Sequence, residues 1–294
     1  MLNTERTVPC SWVHKRAVEQ VFVTSVAEQD GRLLAMAQLP RTHRLYNDVP
    51  CDGPEAWHDL LLLGEVARQS SEAIAHQLMG VPLDRQFVIG LMKIAVLDRK
   101  AMTAGPASED VLVELVVHKA KRRPDGTLRQ LRASVTCRLK GVPAAEFSGT
   151  LMLVEQASYR ALREGAGPAV VSPGGVRPSP AEVGRTDPRN VVISDLRREG
   201  TELTARLDAN VHDPVFFDHE LDHYPAMLLG EGARQAALAA FPGARTITSY
   251  TFAFERFAEF GTPVTYRVTP REDSVALEIV QGEEIIATGK IITD

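Results

Sequence analysis

Apolar and polar positions alternate along most of this chain, and two long stretches break the alternation. Residues 20–27 and 32–39 alternate with a period of two on either side of Gln29-Asp30-Gly31, which predicts a hairpin. Residues 59–79 then change period. Leu and Ala recur at helical spacing, Asp59 stands where a cap belongs, and Gly80 and Pro82 end the run. Four further strands are predicted at 86–97, 110–119, 128–139 and 147–155, the middle two joined by the turn Pro124-Asp125-Gly126. The order then repeats. Strands are expected at 191–195 and 202–207, a loop at 212–225, a helix at 227–241, and strands at 246–255, 263–269, 274–280 and 284–292. Between the halves, Gly and Pro fill half of the positions from Gly165 to Pro180, which suits a linker. The expected organisation is one unit over 1–164, a linker over 165–188 and a second unit over 189–294.

Neither half alternates strand with helix, so a doubly wound parallel sheet is disfavoured. A single long helix among antiparallel strands must be wrapped by them. The expected class is α+β, a tandem double hotdog. Two long central helices are wrapped by antiparallel sheets, and the halves pair as a pseudo-dimer with the helices side by side. A repeated string supports the duplication. Leu62-Leu-Gly-Glu65-Val-Ala-Arg68-Gln69 returns as Leu228-Leu-Gly-Glu231-Gly-Ala-Arg234-Gln235, with only Val66 against Gly232 differing.

That string places a carboxylate and a guanidinium three positions apart in both helices. In the second helix Glu231 and Arg234 are the only ionisable side chains, so no solvated face is on offer. A lone buried carboxylate would cost several kcal/mol or take up a proton, so Glu231 and Arg234 need partners. In the first helix Glu65, Gln69, Glu72 and His76 form one stripe. Two bland alternatives stand beside a catalytic reading: a solvated surface pair, and a buried pair that only fixes packing.

The loop before the second helix holds His212, His219 and His223, three of only eight histidines. They admit a metal reading, a catalytic reading in which a loop His works beside a helical Glu, and plain capping of the helix by Asp222. The spacing Asp218-His219-x-x-Asp222-His223 fits no standard metal site, so no metal and no cofactor is expected. His43 and Tyr46 form a thinner counterpart in the first half, with His43 matched to His212. The net charge of −5 argues against nucleic acid as a partner. No apolar run is long enough for a membrane span, and the first eleven residues lack the core of a secretion signal, so a cytoplasmic protein is expected. Three cysteines without CxxC spacing argue against a disulfide framework. The basic run from His118 to Arg123 is a candidate docking patch for an acidic partner, or simply a solvated hairpin end.

These residues resemble a known family. Pro40-Arg-Thr-His43-Arg-Leu-Tyr46-x-Asp48, Glu65-x-x-Arg68-Gln69, Gly80-Val-Pro82-Leu-x-x-Gln86-Phe87 and Phe216-Phe-Asp218-His219-x-x-Asp222-His223-x-Pro225-x-Met227 are similar to the A-factor biosynthesis (AfsA-type) hotdog proteins, across both halves. The resemblance implies an acyltransferase at the first step of making γ-butyrolactone, butenolide or furan signals. Its substrates would be a β-ketoacyl thioester on acyl carrier protein and dihydroxyacetone phosphate. It implies that Glu65 and Arg234 are the essential pair, with Glu65 expected as a general base of raised pKa. Arg68, Gln69, Glu231, Gln235, His43 and Tyr46 are expected to position substrate, and His219 and His223 are second-rank proton-transfer candidates. The alternatives are a hotdog thioesterase or dehydratase, and a non-catalytic acyl-ligand binder.

Overall fold

The computed structural model describes residues 2–48, 56–170, 174–241 and 246–293. Cys51 and the linker positions 171–173 lie outside them. The chain divides into two units: Met1–Asn47 with Gly53–Glu164, and Gly165–Asp294 with the short segment Asp48–Asp52.

In the first unit the strands are β1 (Val23–Gln29), β2 (Arg32–Leu39), β3 (Gln86–Val96), β4 (Glu109–Arg122), β5 (Leu128–Leu139) and β6 (Val142–Val154). They pair antiparallel in the order β1-β2-β4-β5-β6-β3. Helix α1 (Leu60–Leu78) packs against all six strands, and a short helix α2 (Gln156–Leu162) follows β6. The second unit has β7 (Ile193–Glu199), β8 (Glu202–Leu207), helix α3 (Ala226–Ala240), β9 (Ile247–Phe254), β10 (Val264–Pro270), β11 (Ser274–Gln281) and β12 (Glu284–Thr293). Its sheet runs β7-β8-β10-β11-β12-β9, the same order as the first. Each unit is a hotdog, a long helix held against one antiparallel sheet.

The helices are buried because their sequences leave no wet face. In α1 every residue from Leu60 to His76 except Arg68 is buried; in α3 the same holds from Leu228 to Ala240 except Leu238. Asp59 caps α1 by accepting from the Leu61 N–H. At the other end Gly80 takes φ +70°, and the Val81 N–H returns to the Ala75 carbonyl. The cap expected from Asp222 on α3 is absent. Pro225 stands at that position, and the Asp222 carboxylate turns to His223 instead.

The one difference in the repeated string has a packing cause. Tyr266 on β10 lies opposite Ala205, as Val113 on β4 lies opposite Ala35. A Cβ on Gly232 would fall on the Tyr266 hydroxyl and ring. The matching positions hold Val66 and Val113, both buried, in the first unit and Gly232 and Tyr266 in the second, so volume lost from the helix is regained on the sheet.

Other differences from expectation are local. Strand β6 starts five residues early because Lys140 and Gly141 both adopt left-handed φ and make a tight turn, a position where Lys gives no signal. Strand β4 runs on through Arg122, so most of the basic run is paired strand. Its arginines are tied down: Arg122 donates to the Gly126 carbonyl, and Arg123 to those of Leu128 and Leu153. Within the stretch read as linker, the brief helical turn that the sequence suggests at 180–184 is present. Ser179 and Glu182 form a capping box around a 3-10 turn, Pro180–Val183, and both Val183 and Arg185 are buried.

Candidate active site

Each unit builds one polar network around the glutamate of the repeated string. In the first, Glu65 is 2% exposed. Its carboxylate takes Nε and Nη2 of Arg68 at 2.8 and 2.7 Å, Nε2 of Gln69 at 2.8 Å, and Nζ of Lys15 at 3.5 Å. Gln69 also donates to the Gln20 carbonyl and accepts from the Phe22 N–H, so it clamps the entry to β1 onto the helix. In the second unit Glu231 is fully buried. It takes Nε and Nη2 of Arg234 at 2.8 and 3.0 Å, Nε and Nη2 of Arg185 at 2.9 and 2.7 Å, and Nε2 of Gln235 at 2.6 Å. Gln235 clamps Asn190 and Val192 as Gln69 clamps Gln20 and Phe22.

Burial alone would raise both carboxyl pKa values, but the cations outweigh it. Arg68 and Lys15, with bonds from Arg68 and Gln69, hold Glu65 well below the usual carboxylate range. Arg185 and Arg234 hold Glu231 down to about 2. The expectation of a raised pKa at Glu65 is therefore corrected. Its oxygens accept charged donors on several sides, which favours the ionised form.

The networks differ beyond that core. Arg68 turns its remaining edge to a second carboxylate, donating from Nη1 to both oxygens of Glu72 at 2.7 and 2.6 Å. The position matching Glu72 in α3 is Leu238. Both arginines send Nη2 to a matching carbonyl, Val13 for Arg68 and Val183 for Arg234, and Arg234 adds the Gly184 carbonyl where Arg68 has Glu72. The first network thus sets two carboxylates against Arg68 and Lys15; the second sets one carboxylate against two guanidiniums.

Lys15 and Arg185 were missed in the sequence. Both lie in the segment before the first strand of their unit, about fifty residues from the glutamate they pair with. A signal exists once the halves are aligned on their first strands: Val13-His14-Lys15 matches Val183-Gly184-Arg185. The same alignment corrects the pairing of His43 with His212. The His43 carbonyl accepts from the Asn47 N–H, and Asp213, not His212, repeats this by accepting from Phe217. His43 itself holds a loop. Its Nδ1 accepts from the N–H groups of Leu45 and Tyr46, its Nε2 contacts Gln20, and its ring stacks on Tyr46 at 4.6 Å.

The two second-rank histidines form Asp–His dyads. His219 Nδ1 meets Asp218 at 2.7 Å, and His223 Nδ1 meets Asp222 at 2.6 Å. A carboxylate only accepts, so each Nδ1 carries a proton directed at its aspartate. Asp48, from the first half of the sequence, belongs to the second unit's packing. It accepts from the N–H groups of Thr186 and Asp187 and from the Asn190 amide, while Arg185 donates to its carbonyl. Among the described residues no group of three His, Cys, Asp or Glu side chains is arranged to hold a metal. Among them, too, no helix is long and apolar enough to cross a membrane.

The profile of the A-factor biosynthesis hotdog domain matches residues 1–155 and 177–293. The chain belongs to the A-factor biosynthesis hotdog family. Relatives in this family include a 2-oxo-3-(phosphooxy)propyl 3-oxoalkanoate synthase of Streptomyces virginiae, 32% identical over 90% of this chain and 87% of that protein. A synthase of the same name from Streptomyces coelicolor is 30% identical over 93% of this chain and 85% of its own length. Among solved structures, an acyl-ACP thioesterase from Bacteroides thetaiotaomicron superposes with a TM-score of 0.53 at 14% identity, covering 89% of this chain and 98% of its own. That likeness speaks of the hotdog fold alone.

Proposed function

We propose that this chain transfers a 3-oxoacyl group from a thioester to the hydroxyl of dihydroxyacetone phosphate. The product is the ester named in its relatives, a 2-oxo-3-(phosphooxy)propyl 3-oxoalkanoate. The observation that carries this reading is the likeness to enzymes so named over nine-tenths of the chain. Acyl carrier protein is the proposed thioester donor. In the reaction the hydroxyl oxygen forms a C–O bond to the thioester carbonyl, the C–S bond breaks, and the hydroxyl proton leaves with the thiol.

Glu65 and Arg234 are the residues proposed to be essential. Glu65 is held as a carboxylate, so its part is to accept a hydrogen bond from the attacking hydroxyl and raise the oxygen's nucleophilicity. Arg234 supplies a guanidinium, whose fork suits a phosphate or a developing oxyanion. Arg68 with Gln69, and Glu231 with Gln235, hold these two side chains in place. The His219 and His223 dyads are the proposed proton carriers for the leaving thiol.

The test is turnover of a 3-oxoacyl carrier-protein thioester with dihydroxyacetone phosphate, followed by mass spectrometry. The expected product is the phosphorylated ester. Release of free 3-oxo acid at one rate with or without the phosphate would make the protein a hydrolase. Tight acyl binding without turnover would make it a binding protein. Glu65→Gln and Arg234→Ala should each lower kcat/KM by at least roughly a hundredfold.

A further inference from the structure

The first unit carries ionisable side chains that the second lacks, and one of them, Glu72, meets Arg68. Glu72 is 5% exposed and shares that guanidinium with Glu65. One turn further along α1, His76 is buried. Its Nδ1 meets the Val81 carbonyl at 2.8 Å, a contact made possible by the left-handed turn at Gly80. A carbonyl only accepts, so Nδ1 bears the proton and Nε2 of neutral His76 is an acceptor. That Nε2 lies 2.9 Å from Nε2 of His14, with the two rings stacked and Phe87 edge-on to both. One proton sits between the two nitrogens; a second would set two N–H groups head to head. His14 holds its place at φ +50°, a conformation disfavoured for a residue with a side chain. The second unit has Gly184 there, at φ +65°, and Leu238 where Glu72 stands. Where the first unit clusters Glu72, His76 and His14, the second keeps glycine and leucine at two of the matching positions.

We propose that Glu72 is a positioning residue that governs Glu65 through their shared Arg68, and that its change of charge is felt by the His76–His14 pair one turn along α1. This rests on the reading of Glu65 as an essential residue. Protonated, Glu72 gives Arg68 over to Glu65; ionised, it competes for the same guanidinium. Among the described residues the charged and titratable groups acting on it are Arg68, Glu65 and His76 on α1; from the segment before β1, Lys15 reaches Glu65 and His14 reaches His76, and Phe87 on β3 packs on the two imidazoles. Burial raises the Glu72 pKa to about 7, the Arg68 charge lowers it and the neighbouring Glu65 raises it, so its switch falls near neutrality. His76 is shifted the other way, first by burial and then by His14, and Glu72 raises it.

Two measurements on the full chain test this. The first is histidine NMR titration of the unliganded protein. The His76 resonances should carry an inflection near pH 7 that reports the Glu72 titration, and Glu72→Gln should remove it, since it deletes the charge that appears there. The second is kcat and KM of the acyl transfer from pH 6 to 8. The parent should show an inflection near neutrality in kcat that Glu72→Gln removes, with KM held within roughly twofold. His14→Gly, which installs the second unit's residue, should shift the inflection, and Glu72→Asp should restore it in part. Profiles for Glu72→Gln and Glu72→Leu that run parallel to the parent, with an unchanged His76 titration, overturn the proposal. Should Glu65→Gln keep full activity while Glu72→Gln still changes the His76 titration, the reading of Glu65 fails and the coupling of Glu72 to the imidazoles stands.

Discussion

Helices α1 and α3 share seven of eight residues in their central string, yet what surrounds the string gives them opposite electrostatic characters. Around α3, Glu231 is enclosed by Arg185, Arg234 and Gln235 with no exposed face, and guanidinium charge is in excess. Around α1, Glu65 and Glu72 compete for Arg68, and the more exposed Lys15 stands farther off at 3.5 Å. A duplicated scaffold has kept its Gln clamp and its Glu–Arg pair in both copies. The added or withheld charges lie one helical turn away.

The largest effect that separates the two copies is in their distal cations. Arg185 is fully buried and bonds Glu231 through two nitrogens, so Arg185→Met leaves a buried carboxylate half-paired and should cost about 3 kcal/mol. Lys15→Met removes a longer, partly hydrated contact and should cost about 1 kcal/mol or less. Urea unfolding of both variants measures the gap. Equal losses would mean that the two networks are equally dry and equally dependent on their distal cations.

Next in size is the pH dependence, where the first copy's extra carboxylate, Glu72, has the opposite sign to Glu231 and Glu65. Glu231 is depressed to about 2, so its contribution is present above the unfolded carboxylate value and is lost as pH falls from there toward 2. Glu72 is raised to about 7, so the folded state binds its proton more tightly than the unfolded chain does. Its contribution is complete below the unfolded value and is lost as pH rises through 7. Glu72→Gln should match the parent near pH 4 and exceed it above pH 7 by up to about 3 kcal/mol. Stability curves for the two proteins that stay parallel from pH 4 to 8 would show that Glu72 titrates normally.

The sequence carried the architecture well, and it carried the site only where its parts are local. Period-two strands, the Asp59 cap, the Gly80 stop and the repeated string are each written within a few residues, and the structure has them. The apolar helices correctly announced that Glu231 and Arg234 need partners. Their identities were hidden because Arg185 sits in a stretch whose Gly and Pro content reads as linker, and its burial depends on contacts with Glu231 and Asp48 far along the chain. The Glu72 stripe was visible in α1, yet nothing local said that Arg68 would fork between two carboxylates. The match of His43 to His212 failed by one position because residue type was followed where backbone geometry decides; Asp213 makes the same turn with a carboxylate.

The third effect concerns the glycines, where a single methyl group distinguishes the copies. A Cβ on Gly64 would come within 2.6 Å of Ile94 Cδ1, the free end of a flexible side chain, so Gly64→Ala should be nearly neutral once helix propensity is included. A Cβ on Gly232 would meet the ring and hydroxyl of Tyr266, which is rigid and wholly buried, and Gly232→Ala should cost about 2 kcal/mol. Adding Tyr266→Val to Gly232→Val places the first unit's valines at both positions and should recover most of what Gly232→Val alone loses. A double variant no more stable than Gly232→Val would break the argument that the two positions exchanged volume.

The smallest effect isolates one oxygen. Tyr266 is completely buried, and its hydroxyl finds no hydrogen-bond partner among the described residues. Burial, with the nearby Glu231 charge, also raises its pKa, so the phenol stays neutral and adds no charge to the second network. A buried hydroxyl without a partner forfeits its hydration and gains nothing in return. Tyr266→Phe keeps the ring that fills the space beside Gly232 and removes only that loss. The variant should be as stable as the parent or more stable by up to about 1 kcal/mol, whereas Tyr266→Val with Gly232 retained opens a cavity and should cost several times that. A clear loss of stability in Tyr266→Phe would mean that the hydroxyl has a partner of its own, and that the second unit's glycine was selected to admit that oxygen and not merely the ring.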